Sequence, residues 1–543
     1  MSSKPAEPAK QAPAVGRGRH GRDIFVIEGE GTFGPDGKVA AKDDPTRASG
    51  AEAAAAAPFR FSRMGPKGTK VAFDVRRKIA RAMTVTNNAD GVPAGYTYLG
   101  QFVDHDFTFD KTQVMLGEDI SPTELLQGRS PSLDLDSVYG AGPLDAASKK
   151  FYSDGKHLKV GKTTRIGNLI ARVGFDVPRV GTGANDQAKR KALIPDLRND
   201  ENLAVAQHHA AFIRFHKRVL DTLPSSVPDG EKFFEARRKV VLHYQWMLRT
   251  DYLPRIMDGR VAEDVFKNGR KIFEVGADPL SVPTMPIEFA VAGFRLGHSM
   301  VREAYDWNRE FPDGAGTLDF LFTFSATSGN LGGNPTLPSN WIVDWRRFYP
   351  FDQFGRADLK APAGEFNRAR RIDSLLVDPL AALPIGSFGG KQSDVGTIQA
   401  NLAFRNVTRA SMLSLASGQQ MAAFLRSKGV SVTTLTAAQL RDGSGGAVLS
   451  TLTAAQRTTF LANTPLWFYI LREAELNNGK LTGVGARIVA ETFHRAMEGS
   501  KHSIVRNPGF RPSLGQVAGR FGMPDLMLFA FQGKEELLNP LGD

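Results

Sequence analysis

From about residue 70 onward, apolar positions recur at three- and four-residue spacing, the pattern of helices that bury one face. The clearest run, Asn202 to Leu223 (NLAVAQHHAAFIRFHKRVLDTL), predicts a helix that stops before Pro224. Arg237–Tyr252 and Ile287–Tyr305 predict two more of the same kind. Alternating strand-like runs are few, and no repeat of about 20 to 50 residues is visible. The pattern therefore predicts a large, mainly α domain with long ordered loops and little β structure, not a set of βαβ units.

The first 58 residues break this pattern. Residues 1–22 are rich in Ala, Pro, Lys and Gly, and Ala51–Pro58 is low in complexity, so residues 1–58 read as a basic, flexible arm ahead of a domain over 59–543. Within the arm, DIFVIEGEGTFGPDGKVAA predicts a small hairpin turning at Pro35-Asp36-Gly37. The same stretch contains a literal G-x-G-x-x-G at Gly29, Gly31 and Gly34. That fingerprint needs a helix to open at its third glycine so that the amides meet a pyrophosphate, and here Pro-Asp-Gly follows at once. Nucleotide binding is not expected there.

Composition narrows the chemistry more than the fold. The chain has 543 residues, 41% hydrophobic and 23% charged, enough for a sizeable core, which excludes a wholly disordered or collagen-like chain. It has no cysteine, which excludes a disulfide framework, a thiolate metal site, a cysteine nucleophile and an iron–sulfur cluster. Any metal must be held by His or by oxygen. Lys and Arg exceed Asp and Glu by 69 − 57 = 12, but beyond the arm the two signs interleave, so no specific nucleic-acid groove is expected. No run approaches about 18 apolar residues and no apolar signal segment opens the chain, so neither a membrane span nor a secretory signal is expected. The default expectation is a cytoplasmic protein or export by a non-classical route, with the oligomeric state left open.

Several short segments could carry chemistry. In GQFVDHDFTFD, Gln101, Asp104 and His105 stand at i, i+3 and i+4 and share one helical face, while Asp106 lies roughly 100° further round. In RSPSLDLDSVYG, Ser130, Ser132, Asp134 and Asp136 repeat oxygen side chains at every second residue, the way an extended loop can gather hard oxygens around Ca²⁺. The EF-hand pattern is not met, and a solvated strand face explains the spacing equally well. Arg198 and Glu201 stand three apart in LRNDENLAV, and in FRLGHSMV His298 follows Arg295 by three and Gly297 by one. Taken singly, these are explained by a surface ion pair and a satisfied core histidine. His208, His209 and His216 on one predicted helix lack H-E-x-x-H and read as structural.

The set QFVDHD, LDLDSVYG, LRNDEN, FRLGH and RNVTRA, in that order, closely resembles the animal-type haem peroxidases of the peroxidase-cyclooxygenase superfamily, in a bacterial-looking form. The resemblance runs from about residue 90 to 500, with DYLPRIM, LPSNWIVDW and TPLWFYILREAE as supporting landmarks. It implies a mostly α single domain around haem b. It implies His105 as distal base, Arg198 as its cationic partner, Gln101 beside the distal water, His298 as iron ligand and Asn406 as acceptor of the proximal imidazole N–H. It further implies Arg295 and Arg409 near the haem propionates, a covalent ester bond from one or both of Asp104 and Glu201, and Asp106, Ser130, Ser132, Asp134 and Asp136 around calcium. The implied activity is reduction of H₂O₂ through a ferryl state with oxidation of small organic or (pseudo)halide donors, in scavenging or defence against oxidative stress. Asn202 replaces the methionine that forms a sulfonium link in mammalian members, so that link is absent, and Ser132 and Asp136 also depart from the mammalian calcium loop.

Two rivals remain. A cyclooxygenase-like or fatty-acid dioxygenase activity needs a tyrosine beside the lipid channel, three residues before the proximal histidine in those relatives, and that position is Arg295. Tyr244 or Tyr252 could supply one from elsewhere. A non-catalytic basic binding protein is the third reading, and the intact His105, Arg198, His298 and Asn406 argue against it. Trp341 and Trp345 read as packing landmarks, with electron relay to a surface donor as the alternative.

Overall fold

The computed structural model describes residues 59–542 apart from 86–89, 111, 113–115, 126, 167–173 and 384–395, together with a short strand pair in the arm. In that pair, Thr32–Phe33 runs antiparallel to Val39–Ala40, with Thr32 opposite Ala40. The remainder of the arm, including the turn at 35–37 and all three glycines Gly29, Gly31 and Gly34, lies outside the described residues.

The mainly α expectation holds, since every sheet among the described residues has only two strands. The frame is built from α1 (Phe73–Ala82), α2 (Gly95–Phe107), α3 (Leu203–Asp221), α4 (Lys232–Met247), α5 (Gly259–Asn268), α6 (Gly297–Met300), α7 (Leu402–Met412), α8 (Leu466–Leu476), α9 (Gly483–Glu498) and α10 (Met523–Ala530). Helix α3 is the predicted 202–223 run, capped by the Asn202 side chain, which accepts from the Val205 amide at 3.0 Å. It packs on α2, α4 and α10, while α9 packs on α5 and α8, and α1 lies along α7. Helix α4 continues through a wider π-type turn at Leu248–Tyr252 into Leu253–Ile256. That turn swings Tyr252 inward. One apolar cluster runs through all of these helices, and its aromatic centre stacks Phe289, Phe294, Phe107 and Phe493.

Two helices meet the core closely because glycine removes the side chain. On α2, a Cβ on Gly95 would strike the Tyr349 ring and one on Gly100 would strike the Tyr252 hydroxyl. The predicted continuous helix over Ile287–Tyr305 is not formed. It splits into Ile287–Val291, a 3₁₀ turn at Gly293–Leu296, and α6, after which the chain is extended. The break is at Ala292 (φ −132°, ψ −64°), where Gly293 presses on α9 so tightly that a Cβ would lie 3.0 Å from Ile488. This break turns His298 out of the apolar row that a straight helix would have given it. No described helix is long and apolar enough to cross a membrane.

Candidate haem site

Helix α2, the residues Glu201 and Asn202 that follow the 3₁₀ turn Leu197–Asp200, and α6 converge on one narrow, solvent-connected cleft whose closed interior measures about 90 Å³. Its polar lining comes from Gln101, Asp104, Glu201 and Asn202 on one side of the sequence, and Arg295 and His298 on the other. The rest is apolar, with Phe294, Val301, Leu318, Phe322 and Leu402 among the walls. A Cβ on Gly297 would meet no atom within 4 Å, so open space lies directly beside His298.

The helical face predicted for α2 is only partly at the wall. Gln101 and Asp104 line the cleft, and Gln101 is bridged to the next element, its amide donating to Glu201 Oε1 and its oxygen accepting from Asn202 at 3.0 Å. His105 sits one layer behind, fully buried, with Nε2 3.7 Å from Glu201 Oε1. Its Nδ1 lies 2.9 Å from Asn199 Oδ1, and the Asn199 amide nitrogen lies 2.9 Å from His209 Nδ1. An oxygen at Nδ1 fixes the proton there and leaves Nε2 as the acceptor end. Burial, reinforced by the Arg198 charge, pushes His105 down to about 3, so the ring is neutral at pH 7 and its approach to Glu201 is not an ion pair.

Arg198 does not reach the cleft. Its guanidinium donates to Asp196 Oδ2 at 2.7 Å and to the carbonyls of Thr108 and His105 at 2.7 and 2.9 Å, and it lies 4.1 Å from the Phe109 ring centre. The expectation of a cation at the distal wall is corrected to a cation behind it. The physical reason is Asp196, two residues earlier, whose buried carboxylate needs the charge. Burial opposes ionisation of Asp196, but Arg198 and then Arg129 hold it well below the usual carboxylate range. Asp104 is the opposite case, since burial raises its pKa although Arg295 and Arg198 pull it down. Its Oδ1 is buried with no hydrogen-bond partner.

His298 lines the cleft, and burial together with Arg295 holds it neutral, well below its usual pKa. Its Nδ1 is 2.8 Å from the Asn406 side chain on α7. The group placed there is the amide nitrogen, whereas an acceptor was expected. The two ends of the amide are nearly isosteric, and only a ligand on Nε2 would fix which end faces the ring. Arg295 Nε donates to the Ala290 carbonyl at 2.8 Å while the side chain borders the cleft. Arg409 pairs with Asp110 and is not part of the lining, so of the two expected propionate partners only Arg295 is at the cleft.

The predicted oxygen set is gathered in part. Asp106 does point away from the cleft, accepting from the Leu135 amide at 3.2 Å and from the Ser137 amide and hydroxyl at 3.4 and 3.3 Å. Burial and the nearby Asp136 push it up to about 8. Ser130 and Ser132 share a 2.7 Å hydrogen bond, but the Asp134 carboxylate accepts from the Lys501 amide and Asp136 pairs with Arg237. Among the described residues, no three His, Asp or Glu side chains stand close enough together to hold a metal ion.

The other histidines are satisfied in the core, His208 by the Ala204 carbonyl and the Tyr349 hydroxyl, and His216 by the Tyr139 hydroxyl and the Lys156 carbonyl. Asn199 and the supporting role of His209 were not singled out from the sequence. The one available signal was the position of Asn199 directly after Arg198. Trp341 is stacked between Phe311 and Phe324 at 3.9 and 4.0 Å, and Trp345 stands edge-on to His208, so both pack. Tyr244 is buried away from the cleft, whereas Tyr252 lines it.

The family model for animal haem peroxidase matches residues 102–326, the stretch that holds His105, Arg198, Glu201 and His298. This segment is similar to the animal haem peroxidases. Curated relatives include a peroxidase-like protein of Margaritifera margaritifera, 25% identical over 39% of this chain and 32% of that protein. They also include the thyroid peroxidase of Canis lupus familiaris, 27% identical over 33% of this chain and 20% of that protein, and a peroxidasin homolog of Caenorhabditis briggsae, 26% identical over 33% and 14%. The chain thus spans no more than about a third of these relatives' length. The likeness of fold reaches further than the matched stretch. Peroxidase A of Dictyostelium discoideum superposes with a TM-score of 0.53 at 16% identity, covering 82% of this chain and 88% of that one. A fatty acid α-dioxygenase of Arabidopsis thaliana superposes at 0.51 and 10% identity, covering 89% and 76%.

Proposed function

We propose that the protein is a haem-dependent peroxidase that reduces H₂O₂ and oxidises small organic or (pseudo)halide donors. The observation that carries this is a buried, neutral His298 at the cleft, held through Nδ1 by Asn406, with a second buried, neutral histidine, His105, one layer behind the opposite wall and held through Nδ1 by Asn199. Iron takes Nε2 of a neutral imidazole whose proton is on Nδ1, which His298 offers once the Asn406 amide turns its oxygen to the ring, and second-shell partners of this kind commonly tune a metal ligand. Haem fits the remaining walls. The cleft is mostly apolar, space is open beside Gly297, Arg295 supplies a cation at its edge, and the orphaned Asp104 Oδ1 is a carboxylate in search of a bond. Haem supplies the iron that binds peroxide and accepts its two oxidising equivalents.

The chain's own groups then handle the proton. His105 Nε2 accepts it from the peroxide and returns it to the departing oxygen, acting as base and then acid. A pKa near 3 keeps that nitrogen unprotonated throughout the neutral range. Glu201 and Gln101, linked to each other beside it, hold water or an anionic donor at the wall. Arg198 acts through position, tying the backbone of His105 and Thr108 to Asp196 and so fixing the end of α2. Asp104 is the favoured point for an ester to the haem edge, because Glu201 already accepts from Gln101.

Turnover of phenols or iodide with H₂O₂, compared between wild type and His105→Ala, tests the reading. A loss of roughly 10²–10⁴-fold in kcat/KM is expected from removing a general acid–base. A second reading, oxygenation of a fatty acid, is favoured by the apolar walls and by Tyr252 at the cleft. The α-dioxygenases that share the fold are named for that chemistry, one from Oryza sativa being solved with palmitic acid. Against it, Arg295 occupies the position three before His298. Dioxygen uptake that depends on palmitate and is lost in Tyr252→Phe would establish the second reading in place of the first.

A further inference from the structure

We propose that a guanidinium, that of Arg237, takes the place of a metal cation at the 130–137 loop, and that the loop is built to work without calcium. Arg237 stands on α4, 101 residues from Asp136, with only 3% of its side chain exposed. Its Nη2 donates to Asp136 Oδ1 at 2.9 Å and to the Asp134 carbonyl at 3.2 Å, and the guanidinium lies 4.9 Å from the Tyr139 ring centre. A second guanidinium closes the same loop, since Arg129 donates to the Asp136 carbonyl at 3.4 Å and to Asp196 at 2.7 Å.

Calcium asks for about six to eight oxygens at roughly 2.3–2.6 Å, with their lone pairs turned toward one point. In this chain the oxygens are turned toward N–H and O–H donors. The Asp134 carboxylate accepts from the Lys501 amide at 2.9 and 3.2 Å, Asp106 accepts from Leu135 and Ser137, and the Ser130 and Ser132 hydroxyls bond each other. A divalent ion among them would also face two permanent positive charges. The guanidinium does the ion's structural work, its Nη2 drawing a carboxylate and a carbonyl of one loop onto a neighbouring helix. Through Leu135 and Ser137 the loop grips Asp106, the residue after His105. The clamp therefore holds the end of α2 irrespective of calcium concentration.

The test uses the full-length protein as purified, with whatever prosthetic group it carries, and reads metal content and melting temperature rather than turnover. After dialysis against EGTA, elemental analysis should find well under 0.2 calcium per chain, roughly the level of trace contamination for a site of this kind. The melting temperature should agree within about 1 °C in EGTA and in millimolar CaCl₂, since only a ligand that binds the folded state raises it. Stoichiometric calcium that survives dialysis, or a rise of several degrees on adding calcium, overturns the proposal. Arg237→Met keeps the stem and removes the charge. It should melt several degrees lower, and added calcium should recover part of the loss now that the carboxylate and carbonyl are released. Should that variant not fold, Arg237→Lys keeps the charge without the fork and should melt lower than wild type in both EGTA and calcium. Melting of either variant at the wild-type temperature overturns the proposal.

Discussion

Asn199 is the residue through which the acid–base role of His105 can be tuned without touching the cleft. Replacing it with aspartate is nearly isosteric and puts a carboxylate at the 2.9 Å that separates Asn199 Oδ1 from His105 Nδ1. His209, the other partner of Asn199, meets the change by carrying its proton on Nδ1. Opposite charges about 4 Å apart interact by about 4 kcal/mol at an effective dielectric near 20, equivalent to roughly three pKa units at ~1.4 kcal/mol each. Burying the new carboxylate consumes part of this, leaving a rise of about one to two units. Wild-type His105, pushed down to about 3, is already unprotonated at pH 5, and protonation removes its acceptor nitrogen. The rate of reaction with peroxide should therefore be flat from pH 8 to about 4 in the wild type. In Asn199→Asp it should fall with acid about one to two pH units earlier. Stopped-flow absorbance of the haem band on mixing with H₂O₂, at several pH values, reads this directly. Superimposable pH profiles, or a loss equal at every pH, would refute the assignment of His105 Nε2 as the proton acceptor.

Other consequences are open to measurement. Burial pushes Glu473 up to about 8, above its unfolded value, so it folds protonated and its contribution to stability is fully present below about pH 4.5 and declines as pH rises toward 8. Glu473→Gln should flatten the fall in melting temperature between pH 5 and 8, and an identical slope would count against it. Arg198→Met strips Asp196 of one of its two arginines and takes one donor from each of the carbonyls of His105 and Thr108, a loss of about 3–5 kcal/mol by denaturant titration. A loss below about 1 kcal/mol would show the guanidinium to be dispensable there. Asp104→Asn should release the haem to acidified organic solvent if Asp104 forms the ester, while wild-type protein retains it through extraction; retention by the variant would move the bond to Glu201. Gly100→Ala forces a methyl onto the Tyr252 hydroxyl and should cost about 1–3 kcal/mol, whereas a neutral effect would mean that the two helices separate freely.

Much of the frame was legible in the sequence because it depends on local period. The 203–221 helix and its stop before Pro224 follow from the apolar spacing and the proline, and so does the divergence of Asp106 from the face of Gln101 and Asp104. What was not legible depends on residues far away in the chain. The break at Ala292 is set by Gly293 meeting Ile488 nearly 200 residues later, and periodicity cannot register such a contact. Arg198 had two places to put its charge, an open cleft or a buried carboxylate two residues before it, and the carboxylate won because an uncompensated buried charge costs more than an empty wall. At the oxygen loop the residues were legible but their partner was not, since Arg237 approaches from another helix and carries no signal at the loop. Arg409, likewise, is spent on Asp110. The motifs thus located the cleft well, while the hydrogen-bond partners behind its wall needed the fold.

The central claim is that His298, held by Asn406, is the ligand of a haem iron. The measurement that tests it most directly is the absorption spectrum of the purified full-length chain, expressed with ample iron and haem precursor, beside that of His298→Ala. A Soret band near one haem per chain in the wild type, lost or shifted to that of a weakly held haem in the variant, is the predicted result. A wild-type protein that stays free of haem, or a variant whose band is unchanged in position and intensity, would contradict it.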